Sequence, residues 1–230
     1  MHFVTEMKKT IVYIDGYNLY YGLLRGSQGS KWLDLRALAN AMFKEEHEIL
    51  SVKYFTARVR TYPHDIAAEE RQKIYLQALS AFGGVEIIEG FYSKKKTWLP
   101  HVNGKCKTCE ESYAGMAHVV KLEEKRSDVN LAVAALVDAM RSDADCFVLV
   151  TGDSDQAGTV YALRHEFGKK VLVFNPHVAV SEHLKRAATY YAHIPRDLPA
   201  KCQLPDVIPI GTHGRTIHRP AAWIAPSSAQ

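Results

Sequence analysis

The chain has 230 residues, 47% hydrophobic and 23% charged, with a formal net charge of +4; that size and balance suit one large buried core and exclude wholesale disorder. No apolar run approaches the roughly 18 residues of a membrane helix, and four cysteines make no disulfide framework. Residues 1–10 carry no apolar stretch of signal-peptide length, so a cytoplasmic protein is expected.

Residues 10–14 (Thr-Ile-Val-Tyr-Ile) are β-branched or aromatic and break at Asp15-Gly16, which predicts a buried strand. Leu35, Leu38, Ala39 and Met42 recur at helical spacing within residues 33–43. Residues 52–59 read as a second strand and residues 66–82 as a helix with Ile74, Leu76 and Leu79 inward. Gly83-Gly84 stops that helix before a third strand over residues 85–92. A basic stretch over about residues 93–122 has no clear period and reads as an irregular insert. Ser127 predicts an N-cap for a helix over residues 128–141, with Leu131, Ala135 and either Val137 or Met140 inward. Residues 146–150 form an apolar strand, 155–167 a helix closed by Gly168, 170–174 another strand and 181–188 another helix. Beyond Pro195 the periodicity ends, so residues 1–194 are expected as the domain and 195–230 as an extended or irregular tail that wraps the domain or reaches a partner. Nearly continuous apolar strands alternating with helices predict a three-layer α/β/α fold with a mainly parallel sheet.

The positive charge is localised. Residues 91–126 hold eight Lys/Arg against four Glu, while the rest of the chain balances at 21 of each sign. Such a stretch suits an anionic partner, or simply a solvated lysine-rich face.

Ligands of a parallel sheet bind beyond the carboxyl ends of its strands. Asp15 follows the first strand, and Asp153 and Asp155 follow the strand over 146–150. Asp128 opens the helix that leads into that strand, so its start lies at the same edge. Carboxylates gathered this way repel one another unless a cation or protons compensate. Oxygen donors without a His or Cys set favour Mg²⁺ or Mn²⁺. Taken singly, each Asp is better explained as a helix cap or first-turn acid; the functional reading gains because all four fall on one edge. Asn18 suits the orientation of a water or a phosphate oxygen, or a plain turn. Tyr17, Tyr20 and Tyr21 could stack on bases of a single strand, although so close to the first strand core packing is the stronger expectation. His101, Cys106, Cys109 and His118 could complete a tetrahedral Zn²⁺ site, but the histidine spacing fits no standard finger and reduced thiols are expected. Cys146 reads as core, and Cys202 has no catalytic partner at recognisable spacing.

Four segments, in order, carry a resemblance: Ile14-Asp15-Gly16-Tyr17-Asn18-Leu19-Tyr20, Glu123-Glu124-Lys125-Arg126-Ser127-Asp128-Val129-Asn130-Leu131-Ala132, Val150-Thr151-Gly152-Asp153-Ser154-Asp155 and Gly168-Lys169-Lys170-Val171. Together they resemble the NYN domain family of PIN-like nucleases, and residues 201–223 are similar to the tails of bacterial members. The resemblance implies a PIN-like α/β fold and an endoribonuclease that hydrolyses phosphodiester bonds with Mg²⁺ or Mn²⁺. By position, Asp15, Asp128, Asp153 and Asp155 would be its metal-binding acids, with Asn18 beside them. Gly152 stands where nuclease relatives carry Asn. Lys125 and Arg126 would hold the substrate backbone or be a solvated pair, and Lys94, Lys95 and Lys96 would draw RNA toward the acids. The expected partners are RNA, single-stranded DNA as a variant of it, and a second copy of this chain; no membrane is expected. Two alternatives stay open: a non-catalytic RNA-binding or assembly module of the same fold, and a Mg²⁺-dependent phosphatase. A phosphatase of the haloacid-dehalogenase type needs Asp-x-Asp after its first strand, where this chain has Asp15-Gly16-Tyr17.

Overall fold

The computed structural model describes residues 7–27, 29–43, 47–59, 65–100, 104–105, 112–113, 115–211 and 214–225. The chain opens with β1 (Lys8–Asp15), which breaks into a short α1 (Gly16–Leu19) and a π-helical turn (Tyr20–Leu24). Next come α2 (Leu35–Met42), β2 (His47–Thr56), α3 (Ala68–Phe82), β3 (Glu86–Glu89) and β4 (Phe91–Pro100). A short pair, β5 (Gly104–Lys105) and β6 (Ser112–Tyr113), precedes β7 (Met116–Lys125) and α4 (Ser127–Arg141). Then β8 (Cys146–Val150), α5 (Ala157–His165), β9 (Lys170–Asn175), α6 (Glu182–Ala187) and β10 (Tyr190–His193) complete the alternation. The chain ends in α7 (Leu198–Lys201) and the hairpin strands β11 (Val207–Ile210) and β12 (Arg215–His218).

Six strands form one parallel sheet in the order β10-β9-β8-β1-β2-β3. The period of two in β1 sorts its side chains: Val12 and Ile14 enter one core, Ile11 and Tyr13 the other. On the first face lie Leu35 and Leu38 of α2, Leu76 and Leu79 of α3, and the C-terminal hairpin through Ile208 and Ile217. On the second lie Leu131 and Ala135 of α4, Val160 and Leu163 of α5, and Leu184 of α6. The three-layer α/β/α reading therefore holds. The second face carries one polar stitch, in which the Tyr13 hydroxyl donates to Asp138 Oδ2 (2.7 Å) and Lys53 Nζ pairs with the same oxygen (2.8 Å).

Four local expectations need correction. The strand read over 85–92 is two strands that part at Gly90, where a Cβ would stand 2.4 Å from the Lys125 carbonyl oxygen; the chain crosses itself too closely for a side chain. The basic stretch is not irregular. Its flanks pair as antiparallel strands β4 and β7 over ten residue pairs, from Phe91↔Lys125 to Pro100↔Met116. Lysines have poor strand propensity and both faces meet solvent, so no burial pattern advertises the ladder.

Ser127 does not cap α4. Arg126 before it is left-handed (φ 81°), and Glu124 Oε1 accepts from both Ser127 N (3.0 Å) and Ser127 Oγ (2.6 Å). Ala139 completes the buried stripe, and Met140 is exposed. The tail, finally, is not irregular throughout: it forms α7, β11 and β12 and takes the wrapping alternative, packing back onto the domain. Trp32 Nε1 donates to the Pro205 carbonyl (2.8 Å), Leu204 N to the Trp32 carbonyl (2.9 Å), and the Arg219 guanidinium to the Gly29 carbonyl (2.7 Å). Among the described residues no helix is long and apolar enough to cross a membrane.

Candidate active site

The site lies at the carboxyl edge of β1, β8 and β9. Asp15, the last residue of β1, is 3% exposed. Its carboxylate caps α1: Oδ1 accepts from Asn18 N (2.9 Å), and Oδ2 accepts from Asn18 Nδ2 (2.6 Å) and Thr151 Oγ1 (3.1 Å). Burial pushes this carboxyl above its ordinary value; the three hydrogen bonds pull it down, and the Asp153 charge adds to the rise. Thr151, fully buried after β8, also accepts from Asp153 N (3.1 Å), so one hydroxyl fixes both acidic loops. Gly152 N donates to Asn18 Oδ1 (3.1 Å) and closes the link between the loops.

Asp153 caps the helical turn that follows it, accepting from Asp155 N at 3.0 Å. The capping role of Asp15 and Asp153 is thus real, and each occupies only part of the carboxylate's accepting capacity. Asp128 stands in the first turn of α4, where Gln156 Nε2 donates to its carbonyl (3.1 Å) and ties α4 to the 151–156 loop. Asp128 as a residue is exposed, yet its carboxyl is pushed up to about 6. Desolvation leads, and the charges of Asp15, Asp153, Glu124 and Asp155 add to it. Acids from three segments therefore bear on Asp128, and Glu124 is among them. Sequence reasoning missed Glu124, which only the β4–β7 register brings to this edge.

Among the described residues, no three His, Cys, Asp or Glu side chains close into a ready metal cage. The donor chemistry nevertheless fits a hard divalent cation: oxygen ligands only, with an excess of negative charge that already resists full ionisation. Asp15, Asp128, Asp153 and Asp155 are the groups that would hold it.

His177, which lies in none of the motifs, also reaches this edge. It follows β9, and its Nε2 lies 3.1 Å from Asn18 Oδ1, while its backbone N donates to Asn175 Oδ1 (2.8 Å). A Cβ on Gly152 would meet Asn175 Oδ1 at 2.5 Å and the His177 ring at 2.9 Å. The space that a side chain at 152 would need is thus taken by Asn175 and His177. The sequence signal was their place at a third strand end.

The substrate candidates are spread out. Lys94, Lys95 and Lys96 are exposed on β4, with Lys94 and Lys96 on one face and Lys95 on the other. Lys125 is paired with Glu123 (3.0 Å), which Lys121 also contacts. The Arg126 guanidinium lies 4.8 Å over the Phe91 ring. Tyr17 is half-buried with its hydroxyl on the Ala57 carbonyl (2.8 Å), but Tyr20 and Tyr21 are exposed, not packed in the core. Of the zinc candidates, His101, Cys106 and Cys109 lie outside the described residues; His118 stacks on Trp98 at 4.8 Å.

The sequence matches the NYN domain over residues 9–195. It is 33% identical, over 234 residues covering 89% of this chain and 73% of the relative, to 6-hydroxy-3-succinoylpyridine 3-monooxygenase HspA of Pseudomonas putida. The fold resembles the crystal structure of a protein of unknown function from Vibrio parahaemolyticus, with a TM-score of 0.50 and 20% identity, covering 86% of this chain and 98% of that one. With four-fifths of its length inside the family match, the chain belongs to the NYN domain family, a family of nuclease type.

Proposed function

We propose that this protein is a metal-dependent endoribonuclease that hydrolyses phosphodiester bonds of single-stranded RNA. The observation that carries the reading is the convergence of four aspartates from three segments at one sheet edge, where desolvation and the neighbouring carboxylate charges push Asp128 up to about 6. A bound Mg²⁺ or Mn²⁺ would polarise the scissile phosphate and supply an activated water. The chain itself provides the frame. Asp15 is held by three hydrogen bonds, so its free accepting capacity points in one direction. Asn18 is fixed at its oxygen by Gly152 N and His177 and at its nitrogen by Asp15, and it orients a phosphate oxygen or a water at the rim. Arg126 and Lys125 stand at the entrance to α4, two and three residues before Asp128, and hold the substrate backbone against the field of the acids.

The test is cleavage of single-stranded RNA by purified protein with Mn²⁺ or Mg²⁺, compared with Asp15→Asn. Cleavage to 5′-phosphate ends with a loss of at least about a hundredfold in the variant supports the reading. Equal cleavage by both preparations reveals a contaminant and removes it. Metal-dependent release of phosphate from a phosphomonoester, with RNA untouched, would instead mark a phosphatase; RNA binding without turnover would mark a binding module.

A second reading has one observation behind it, the 33% identity to a protein named as a hydroxypyridine monooxygenase. It predicts oxygen uptake with 6-hydroxy-3-succinoylpyridine and a reductant. Oxygen uptake alongside intact RNA would replace the nuclease reading.

A further inference from the structure

β4 and β7 form a two-stranded sheet of their own and pack chiefly on each other. A lone two-stranded ribbon is marginal in water, and this one runs ten residues, about 34 Å. Its register puts Tyr92, Lys94, Lys96 and Trp98 on one face, opposite Glu124, Leu122, Val120 and His118. Trp98 is 60% exposed while stacked on His118. At the base of the ribbon Tyr92 meets Tyr17 edge-on (6.0 Å), and Tyr17 stacks on Tyr21 (6.4 Å). Tyr21 is 54% exposed and carries the Arg25 guanidinium 5.4 Å from its ring centre. Since Tyr17 lies two residues beyond Asp15, the row of rings ends at the acidic rim.

Rings and cations thus share one surface: Trp98, Lys96, Lys94, Tyr92, Tyr17, then Tyr21 with Arg25. The opposite face differs in its rings rather than in its charge: it carries Lys95, Lys121 and Lys125 against Glu123, with Phe91 as the only ring among its described residues, and that ring lies under the Arg126 guanidinium. Lys94 and Lys96 have no ion-pair partner among the described residues. An apolar partner would have to bury those two lysines without compensation. A flexible polyanion whose bases are unpaired satisfies both features, with π faces for the rings and phosphates for the lysines.

We propose that this face of the β4–β7 hairpin is a track that takes an unpaired RNA strand and leads it to the acidic rim. The track rests on the nucleic-acid reading above but not on catalysis, so the two can fail separately. The probe is a fluorescein-labelled oligouridylate, titrated in EDTA and followed by anisotropy and by tryptophan fluorescence. Trp32 is fully buried and Trp223 is half-buried against it, both away from the hairpin, so the Trp98→Phe variant isolates the part of the quenching that reports stacking on Trp98. Wild type is expected to bind with quenching, and Trp98→Ala and Tyr21→Ala each to weaken binding about tenfold, or about 1.4 kcal/mol. Trp98→Phe should keep most of the affinity and lose the quenching. The double variant Lys94→Ala/Lys96→Ala should flatten the log–log salt dependence by about 1.4, and a fully paired RNA should compete poorly. Failure of the oligonucleotide to bind, or alanine variants within twofold of wild type, would overturn the track. So would a dimer that Trp98→Ala splits without changing RNA binding, since the face would then belong to a second copy. Trp98-dependent binding by a protein that never cleaves with Mn²⁺ overturns the hydrolytic reading alone; cleavage with Trp98-independent binding overturns the track alone.

Discussion

Asp128→Asn should stabilise the metal-free protein while abolishing its turnover. The Asp128 carboxyl ionises near 6 in the folded chain against 3.8 ordinarily, a difference worth about 3 kcal/mol at full strength. Asp128 is exposed, so solvent screening reduces that to about 1.5 kcal/mol. The asparagine also forfeits a favourable first-turn interaction with the α4 dipole, about 0.5 kcal/mol. A net gain of about 1 kcal/mol remains, or roughly 2–4 °C in Tm for a chain of this length. The sign against pH follows from proton binding. Between about 4 and 6 the folded state holds a proton the unfolded state has lost, so stability falls as pH rises through this window and the cost persists above 6. The gain of Asp128→Asn should therefore be full at pH 7.5 and gone by pH 4. Thermal unfolding of both proteins in EDTA across that range measures it, and added Mg²⁺ should stabilise wild type more than the variant. A variant less stable than wild type at pH 7.5, or an advantage that does not shrink on acidification, would refute the electrostatic coupling of the acids.

Other perturbations read separate parts of the frame. Thr151→Ala removes the donor to Asp15 and the acceptor for Asp153 N; a loss of about 2 kcal/mol in urea unfolding is expected, with Asp15 pushed further up because one of the bonds that lower it is gone. Gly152→Ala places a Cβ against Asn175 Oδ1 and the His177 ring; it should cost about 1–3 kcal/mol and lower turnover, and an unchanged midpoint with full activity would show that the rim yields freely. Desolvation pushes the buried Cys146 thiol up to about 11 and raises Cys202 as well. Both should resist a thiol reagent at pH 8 in the native protein and react only in denaturant, as peptide mapping would show.

The parallel sheet and the acid-bearing edge were legible because both follow from local pattern. Residues 146–150 are apolar at every position since both sheet faces are covered, and the strand is observed with those bounds. Asp15 and Asp153 could be placed because each directly follows a strand whose direction the alternation fixes. The hairpin was not legible, because lysines and a tryptophan facing water on both sides leave no hydrophobic period to read. The tail was not legible either: Ile208 and Ile217 are two apolar residues in a Pro- and Gly-rich context, and their burial depends on the distant Trp32 and α3. His177 escaped notice for a different reason. It carries no motif of its own and reaches the rim only because Gly22 and Gly152 leave room for its ring, with a Cβ on Gly22 falling 3.0 Å from it.

The arrangement of charge also explains why the basic segment and the acids belong together. Five carboxylates around one rim repel a polyphosphate as they repel one another, so an approaching strand gains nothing until it is held elsewhere. The chain's net excess of four positive charges falls within residues 91–126, and the β4–β7 ladder delivers part of that charge to the same edge, with Glu124 at its inner end and Lys94 and Lys96 further out. Attraction acts along the ribbon, beyond about one Debye length of 8–10 Å from the rim, where screening has removed most of the acids' repulsion. Raising the ionic strength should therefore weaken capture of RNA far more than it changes the ionisation of Asp128, whose shift comes first from desolvation, which salt does not screen. A parallel salt dependence of the two would mean that the hairpin and the acidic rim form a single electrostatic site.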